Sequence, residues 1–181
     1  LVLGDSLSAE YGLARGEGWV NLLQKKLEAE KITASIVNAS ISGETTSGGA
    51  ARLQTLLDKH QPAVVVIELG ANDALRGLSL IATQQNLRNM VAAAKKAKAR
   101  VLLIGMQIPP NYGTDYTRQF ADLFPKIAKE SKSALVPFML KDVADKANPN
   151  LFQADRIHPS AEAHPIILNN IWPQLKPLLS K

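Results

Sequence analysis

Short apolar runs rich in β-branched residues alternate along this chain with longer stretches in which apolar residues recur every three or four positions. That alternation is the pattern of βαβ units around a parallel sheet. Leu1-Val2-Leu3 reads as a first strand, Trp19, Val20, Leu22, Leu23 and Leu27 mark a helix, and Ile32 to Val37 reads as a second strand. A helix with Thr45 or Thr46 as its N-cap carries Leu53, Leu56 and Leu57 and stops before Pro62, because proline restricts the residue ahead of it. Ala63 to Leu69 is almost continuously apolar, as expected of a central strand buried on both faces. A helix over Thr83 to Lys98, a strand over Val101 to Met106, a loop from Gln107 to Gly113, a helix over Asp115 to Glu130 and a short fifth strand over Ala134 to Phe138 follow. A polar loop through Asp155 and His158 then leads into a closing helix. Its Ile166, Ile167, Ile171 and Leu175 face the sheet, and Pro173 is expected to kink it. The pattern predicts an α/β fold in one domain spanning residues 1–181.

Composition narrows the class. Of 181 residues, 46% are hydrophobic and 20% charged, enough apolar material for a sizeable core and too little charge for a disordered chain. The excess of 21 basic over 16 acidic side chains gives +5. Lys95, Lys96, Lys98 and Arg100 gather at a helix end, where cations favour the dipole, and no aromatic residue interleaves with them. Nucleic-acid binding is not expected. The absence of cysteine excludes disulfides, zinc-thiolate sites and thiol nucleophiles, and leaves cytosol and periplasm both open. No apolar run approaches the roughly 18 residues of a membrane span, so stable membrane insertion is not expected either.

In an open parallel sheet, ligands bind beyond the carboxyl ends of the strands. Gly4-Asp5-Ser6, Ser42-Gly43-Glu44, Gly70-Ala71-Asn72-Asp73 and the stretch Asp155 to His158 all follow strands and therefore fall on that one edge. A serine hydroxyl needs a base to take its proton, and the base works best with a carboxylate holding its imidazole. Of the three histidines, His60 ends a helix and His164 sits in the closing helix, where it reads as a surface residue. His158, three residues after Asp155, is the best base for Ser6, although the same residues also suit a turn leading into a helix capped by Ser160. The backbone N–H groups of Ser6 and Gly43 and the Asn72 amide are candidate oxyanion donors. Gly43 could instead simply permit a positive φ, and Asn72-Asp73 could cap the next segment.

Gly4-Asp5-Ser6-Leu7-Ser8, Gly43, Gly70-Ala71-Asn72-Asp73 and Asp155-Arg156-Ile157-His158-Pro159 resemble, in order, the four blocks of the SGNH (GDSL) hydrolases. Glu68 to Leu78, Gln107 to Gly113 and Leu135 to Phe138 look like the branch of multifunctional bacterial acyl-CoA thioesterases, arylesterases and lysophospholipases. The resemblance implies a three-layer α/β/α flavodoxin-like fold with a five-stranded parallel sheet, no metal and no cofactor. It also implies hydrolysis of esters or thioesters through an acyl-enzyme. The family roles fall on Ser6, Gly43, Asn72 and His158, with Asp155 as third triad member; a periplasmic or secreted monomer acting on small acyl esters or thioesters is expected. Two positions depart from the pattern: Arg156 and Ala163 stand where the family usually has glycine. Arg156 is expected either to alter the triad turn or to compete for the Asp155 carboxylate.

Leu75 to Leu80, with Ile108-Pro109-Pro110-Asn111-Tyr112, would form an apolar groove for an acyl chain, with Leu75, Ile108, Pro109 and Tyr112 as substrate-binding candidates. A rival from another class is a non-catalytic flavodoxin-like module binding a phosphate or nucleotide through Ser6 and Ser8. It gives Asn72, Asp155 and His158 no role. A Rossmann reading lacks the three spaced glycines after the first strand.

Overall fold

The computed structural model describes residues 1–145 and 147–180. Four parallel strands form the sheet in the order β1 (Val2–Gly4), β2 (Val64–Glu68), β3 (Arg100–Ile104) and β4 (Ala134–Val136). All five residues of β2 are buried, and β2 pairs on both sides, Gly4 opposite Glu68 and Val66 opposite Leu102. Among the described residues six α-helices surround the sheet: α1 (Trp19–Ala29), α2 (Thr46–His60), α3 (Ala71–Leu75), α4 (Leu80–Lys96), α5 (Thr114–Ser131) and α6 (His164–Leu179).

Because side chains alternate across a strand, the sheet builds two cores. Val64, Val66, Leu102 and Ile104 pack with Trp19, Leu23 and Leu27 of α1 and Ile167, Ile171 and Leu175 of α6. Val65, Ile67, Val101 and Leu103 pack on the other face with Leu53 and Leu57 of α2, Leu87 and Met90 of α4 and Phe120 and Phe124 of α5. The result is the expected three-layer α/β/α arrangement.

The sheet has four strands where five were expected. The segment through Ile32 to Val37 runs beside β1 with parallel bonding, Val2 N–H to Val37 O at 2.8 Å and Ala39 N–H to Val2 O at 2.8 Å. Among the described residues a single bridge forms, Val2 with Asn38, so the segment is bonded to β1 without the continuous ladder that makes a strand. Counting that segment, the spatial order places it outside β1, then β2, β3 and β4, which is the flavodoxin-like order with its switch point between β1 and β2. α1 and α2 lie on opposite faces there, so a crevice opens at the carboxyl ends of these two strands.

Other boundaries shift for local reasons. Thr45 caps α2 as expected, accepting from Gly48 N at 3.3 Å. Ser79 caps α4, which begins at Leu80 rather than Thr83. β4 stops before Pro137, which has no N–H to continue a ladder. α6 runs as one helix past both Pro173 and Pro177. α3, read from sequence as loop, is a helical turn that carries Asn72 and Asp73.

Candidate active site

The turn after β1 is set by Asp5, buried at the end of the strand. Its side-chain Oδ1 accepts the Leu7 N–H at 3.0 Å, and its carbonyl accepts from Ser8 N at 3.1 Å and Ala9 N at 3.0 Å. This Asx-type turn leaves Ser6 at its crest. Among the described residues nothing accepts from the Ser6 N–H, and its Oγ lies 2.9 Å from His158 Nε2.

His158 arrives on the loop that precedes α6. One Asp155 oxygen, Oδ1, accepts the backbone N–H groups of Ile157 at 2.9 Å and His158 at 3.0 Å; the other, Oδ2, lies 2.5 Å from His158 Nδ1. The backbone N–H of His158 is the main reason the Asp155 carboxyl is held down to about 2, with Ile157 N–H and the His158 ring adding to it. Asp155 is therefore a carboxylate at any pH where an imidazole base would work, and it fixes the ring so that Nε2 faces Ser6. Arg156 adopts φ +58°, the left-handed conformation that glycine takes without cost. No ion pair joins Arg156 to Asp155 among the described residues, so the expected competition for that carboxylate is not seen, and the left-handed residue carries local backbone strain.

Two residues that hold this loop were not foreseen. Gln153 accepts nothing from the triad but ties it down, its N–H donating to His158 O at 2.8 Å and its Nε2 to Tyr11 O at 2.8 Å and Pro159 O at 3.0 Å. The Tyr11 ring lies against the His158 ring, centroids 4.3 Å apart. Tyr11 lies more than 140 residues from both His158 and Gln153 in sequence, so no local signal marks its role, and the short-range bonds of Gln153 follow no motif. The one available hint is Tyr11 as a large aromatic in a glycine-bearing loop directly after the serine turn.

The oxyanion candidates converge on the same crevice. Ile41 N–H donates to Gly4 O at 3.0 Å, bringing the 41–44 loop beside the serine turn. Gly43 has φ +81°, so the glycine does permit a left-handed turn, and that turn also leaves its N–H without an acceptor among the described residues. Arg76 Nη2 donates to Gly43 O at 3.0 Å. Asn72 Nδ2 donates to Glu44 O at 2.9 Å and, at a longer 3.3 Å, to Asp5 Oδ2. Asp73, beside it, is buried and caps α2 from a distance: Oδ1 accepts Thr46 N–H at 2.8 Å, and Oδ2 accepts the Thr46 hydroxyl at 2.5 Å and the Thr83 hydroxyl at 3.0 Å.

His164 is a correction. It is 2% exposed rather than on the surface, and its Nδ1 accepts the Trp19 N–H at 2.9 Å. Burial lowers it to about 4, so it is neutral near pH 7 and serves the start of α1, not the site. Among the substrate-binding candidates, Tyr112 is exposed, Leu75 is half-buried, and Ile108 is packed in the core with Phe120 and Phe124. Pro109 is exposed just ahead of the single turn Pro110–Tyr112.

A hydroxyl, an imidazole and a carboxylate bonded in series at the carboxyl edge of a parallel sheet, with unpaired N–H groups beside the hydroxyl, define a serine acyl hydrolase. The chain belongs to the GDSL-like Lipase/Acylhydrolase family, whose model matches residues 2–166. It is 51% identical over 179 residues to Esterase TesA of Pseudomonas aeruginosa, covering 99% of this chain and 88% of that protein. It is 43% identical over 180 residues to Thioesterase 1/protease 1/lysophospholipase L1 of Escherichia coli, covering 99% and 84%. The structure superposes on the psychrotrophic esterase EstA from Pseudoalteromonas sp., in a form inhibited by monoethylphosphonate, with TM-score 0.92, 42% identity and coverage of 99% and 97%. Family membership favours the hydrolase over the non-catalytic binding module. No described helix is long and apolar enough to cross a membrane.

Proposed function

We propose that this protein cleaves carboxylic esters and acyl thioesters through an acyl-enzyme on Ser6. The observation that carries the reading is the continuous relay from Ser6 Oγ to His158 Nε2 at 2.9 Å and from His158 Nδ1 to Asp155 Oδ2 at 2.5 Å. As Ser6 Oγ attacks the acyl carbonyl, its proton passes to His158 Nε2, and the Asp155 carboxylate stabilises the imidazolium that forms. The carbonyl oxygen, now negative, takes up the free N–H groups of Ser6 and Gly43. The Asn72 amide joins them, kept in place by Glu44 O and sharing with the oxyanion the N–H whose long bond goes to Asp5. Each such donor lowers the barrier by roughly 3 kcal/mol in acyl-transfer sites. Collapse expels the alcohol or thiol, which takes the proton from His158. Water, deprotonated by the same histidine, then attacks the acyl-serine, and Ser6 leaves with its proton restored.

Leu75, Pro109 and Tyr112 at the rim, backed by Ile108, would flank the acyl chain. Small acyl esters and thioesters suit the site, as the names of the esterase and thioesterase relatives suggest. Export to the periplasm or medium and a monomeric state complete the reading; fractionation of the producing cell and sizing in solution check both. The function itself is tested with p-nitrophenyl esters and acyl-CoA of several chain lengths. Turnover by the wild type that falls at least about 10³-fold in Ser6→Ala is expected. Ester cleavage that survives in Ser6→Ala would overturn the proposal.

A further inference from the structure

Beneath the serine turn lies a buried acid pair for which the relay has no use. Glu68 ends β2 opposite Gly4, and Asp5 follows Gly4 on the neighbouring strand; the two side chains are 2% and 1% exposed. Gly4 makes room for them, since a Cβ there would meet Glu68 Oε2 at 2.7 Å and Ser8 Oγ at 2.9 Å. Glu68 Oε2 accepts two donors, the Ser8 hydroxyl at 2.8 Å and the Asp5 N–H at 3.2 Å. Ser8 Oγ in turn accepts Trp19 Nε1–H at 3.1 Å. The Asp5 carboxyl has its own fixed partners, Leu7 N–H on Oδ1 and the Asn72 amide on Oδ2. Among the described residues neither carboxyl has a cationic ion-pair partner.

Two adjacent carboxyls away from water are not both ionised, and contact between them is favourable only with a proton on one of them. Burial pushes Glu68 well above the ordinary carboxylate range, and the neighbouring Asp5 charge pushes it further. Burial raises Asp5 only to about 6, because Leu7 N–H, Glu68 and His158 favour its charged form while Asp73 opposes it. Both Asp5 oxygens already accept fixed donors, whereas the two donors to Glu68 both fall on Oε2 and leave Oε1 to carry a proton, so the proton is assigned to Glu68.

We propose that Glu68 is a positioning residue: its carboxylic acid donates a hydrogen bond to the Asp5 carboxylate, and Asp5 so held steadies the Asn72 amide at the oxyanion site. Loss of that proton would set two anions against each other and drive the Asp5 carboxylate away from Asn72. The long 3.3 Å bond from Asn72 to Asp5 is consistent with an amide held in place yet able to turn to an oxyanion. This inference rests on the oxyanion role given to Asn72 above.

The test compares Glu68→Gln with Glu68→Leu. Glutamine keeps one donor for Asp5 and one acceptor for Ser8 and the Asp5 N–H, without a titratable proton; leucine removes both. With p-nitrophenyl acetate, Glu68→Gln is expected to keep kcat within about threefold of wild type, whereas Glu68→Leu loses about 10- to 100-fold in kcat with KM changed less than about threefold. An interaction felt mainly in the transition state has that signature. A Glu68→Gln variant as slow as Glu68→Leu, or a folded Glu68→Leu variant with full kcat, would overturn the proposal. Should Glu68→Leu fail to fold, infrared spectroscopy of the wild type at neutral pH decides directly. The carbonyl band of a buried carboxylic acid, missing in Glu68→Gln, is the expected result, and its absence from the wild type overturns the idea. That band does not depend on turnover. If the protein proves not to be a hydrolase, fluorophosphonate labelling of Ser6 fails while the band persists, so the two failures are distinguishable.

Discussion

Ser6 and His158 meet at 2.9 Å but are brought there by opposite kinds of structure. Ser6 stands on a turn whose polar residues Asp5 and Ser8 are buried and bonded to Glu68 at the end of β2. His158 rides on a loop that crosses open surface, with Ile157 58% exposed, and is positioned by the loop's own hydrogen bonds through Asp155 and Gln153 and by the Tyr11 ring. The nucleophile is thus placed by the same interactions that stabilise the fold, whereas the base is placed by interactions that the fold can lose and survive. Changes on the base side should therefore read out in turnover alone, whereas changes beneath the nucleophile should also cost stability.

The largest effect is expected on the base side. Asp155→Asn keeps an oxygen for the Ile157 and His158 N–H groups but removes the charge that fixes the His158 tautomer. By the scale of other serine triads kcat should fall on the order of 10³-fold, with the melting temperature almost unchanged. A large loss of melting temperature would erase the contrast between the two sides.

A smaller effect, in stability alone, is expected beneath the nucleophile side. His164 takes protons in the unfolded chain below its ordinary 6.5 but in the folded protein only below about 4. The unfolded state binds more protons between those values, so stability from this residue is present above about 6.5 and is lost as pH falls toward 4. At about 1.4 kcal/mol per pKa unit, the loss by pH 4 is roughly 3 kcal/mol. His164→Asn retains an acceptor for the Trp19 N–H and should flatten this part of the curve, measured as the difference between variant and wild-type unfolding in denaturant at several pH values. Parallel curves would contradict the buried, neutral histidine.

The smallest effect sharpens the picture of the loop. Arg156→Gly relieves a left-handed residue and should stabilise by no more than about 1 kcal/mol, with kcat within about threefold of wild type. A marked loss of activity would mean that the Arg156 side chain does something its position does not show.

Much of this was legible in the chain itself. Strands buried on both faces leave continuous apolar runs, so Ala63 to Leu69 announced β2, and a parallel sheet then put the polar clusters on one edge. The serine, aspartate and histidine stood at spacings with a chemical meaning. The segment through Val37 was a weaker case, because strand character in sequence does not show how many ladder bonds a segment makes with its neighbour. α3 is one turn long, too short for any period to show. Tyr11 meets His158 and Gln153 across a distance in sequence that only the folded chain closes. His164 is different: residues 164, 167, 168, 171 and 175 fall on one helical stripe, all buried, and that spacing would have placed the histidine inside. The role of Glu68 needed the register of β1 against β2, which sets its side chain under the serine turn.

The central claim is that Ser6 is the nucleophile of an acyl-enzyme, and covalent capture tests it most directly. The folded protein is treated with a fluorophosphonate and the adduct is located by peptide mass spectrometry, with Ser6→Ala and His158→Ala alongside. The account predicts a single adduct on the peptide containing Ser6, slowed strongly in His158→Ala and absent in Ser6→Ala. An unlabelled Ser6 in a protein that still hydrolyses esters, or an adduct on another residue that persists in Ser6→Ala, would contradict it.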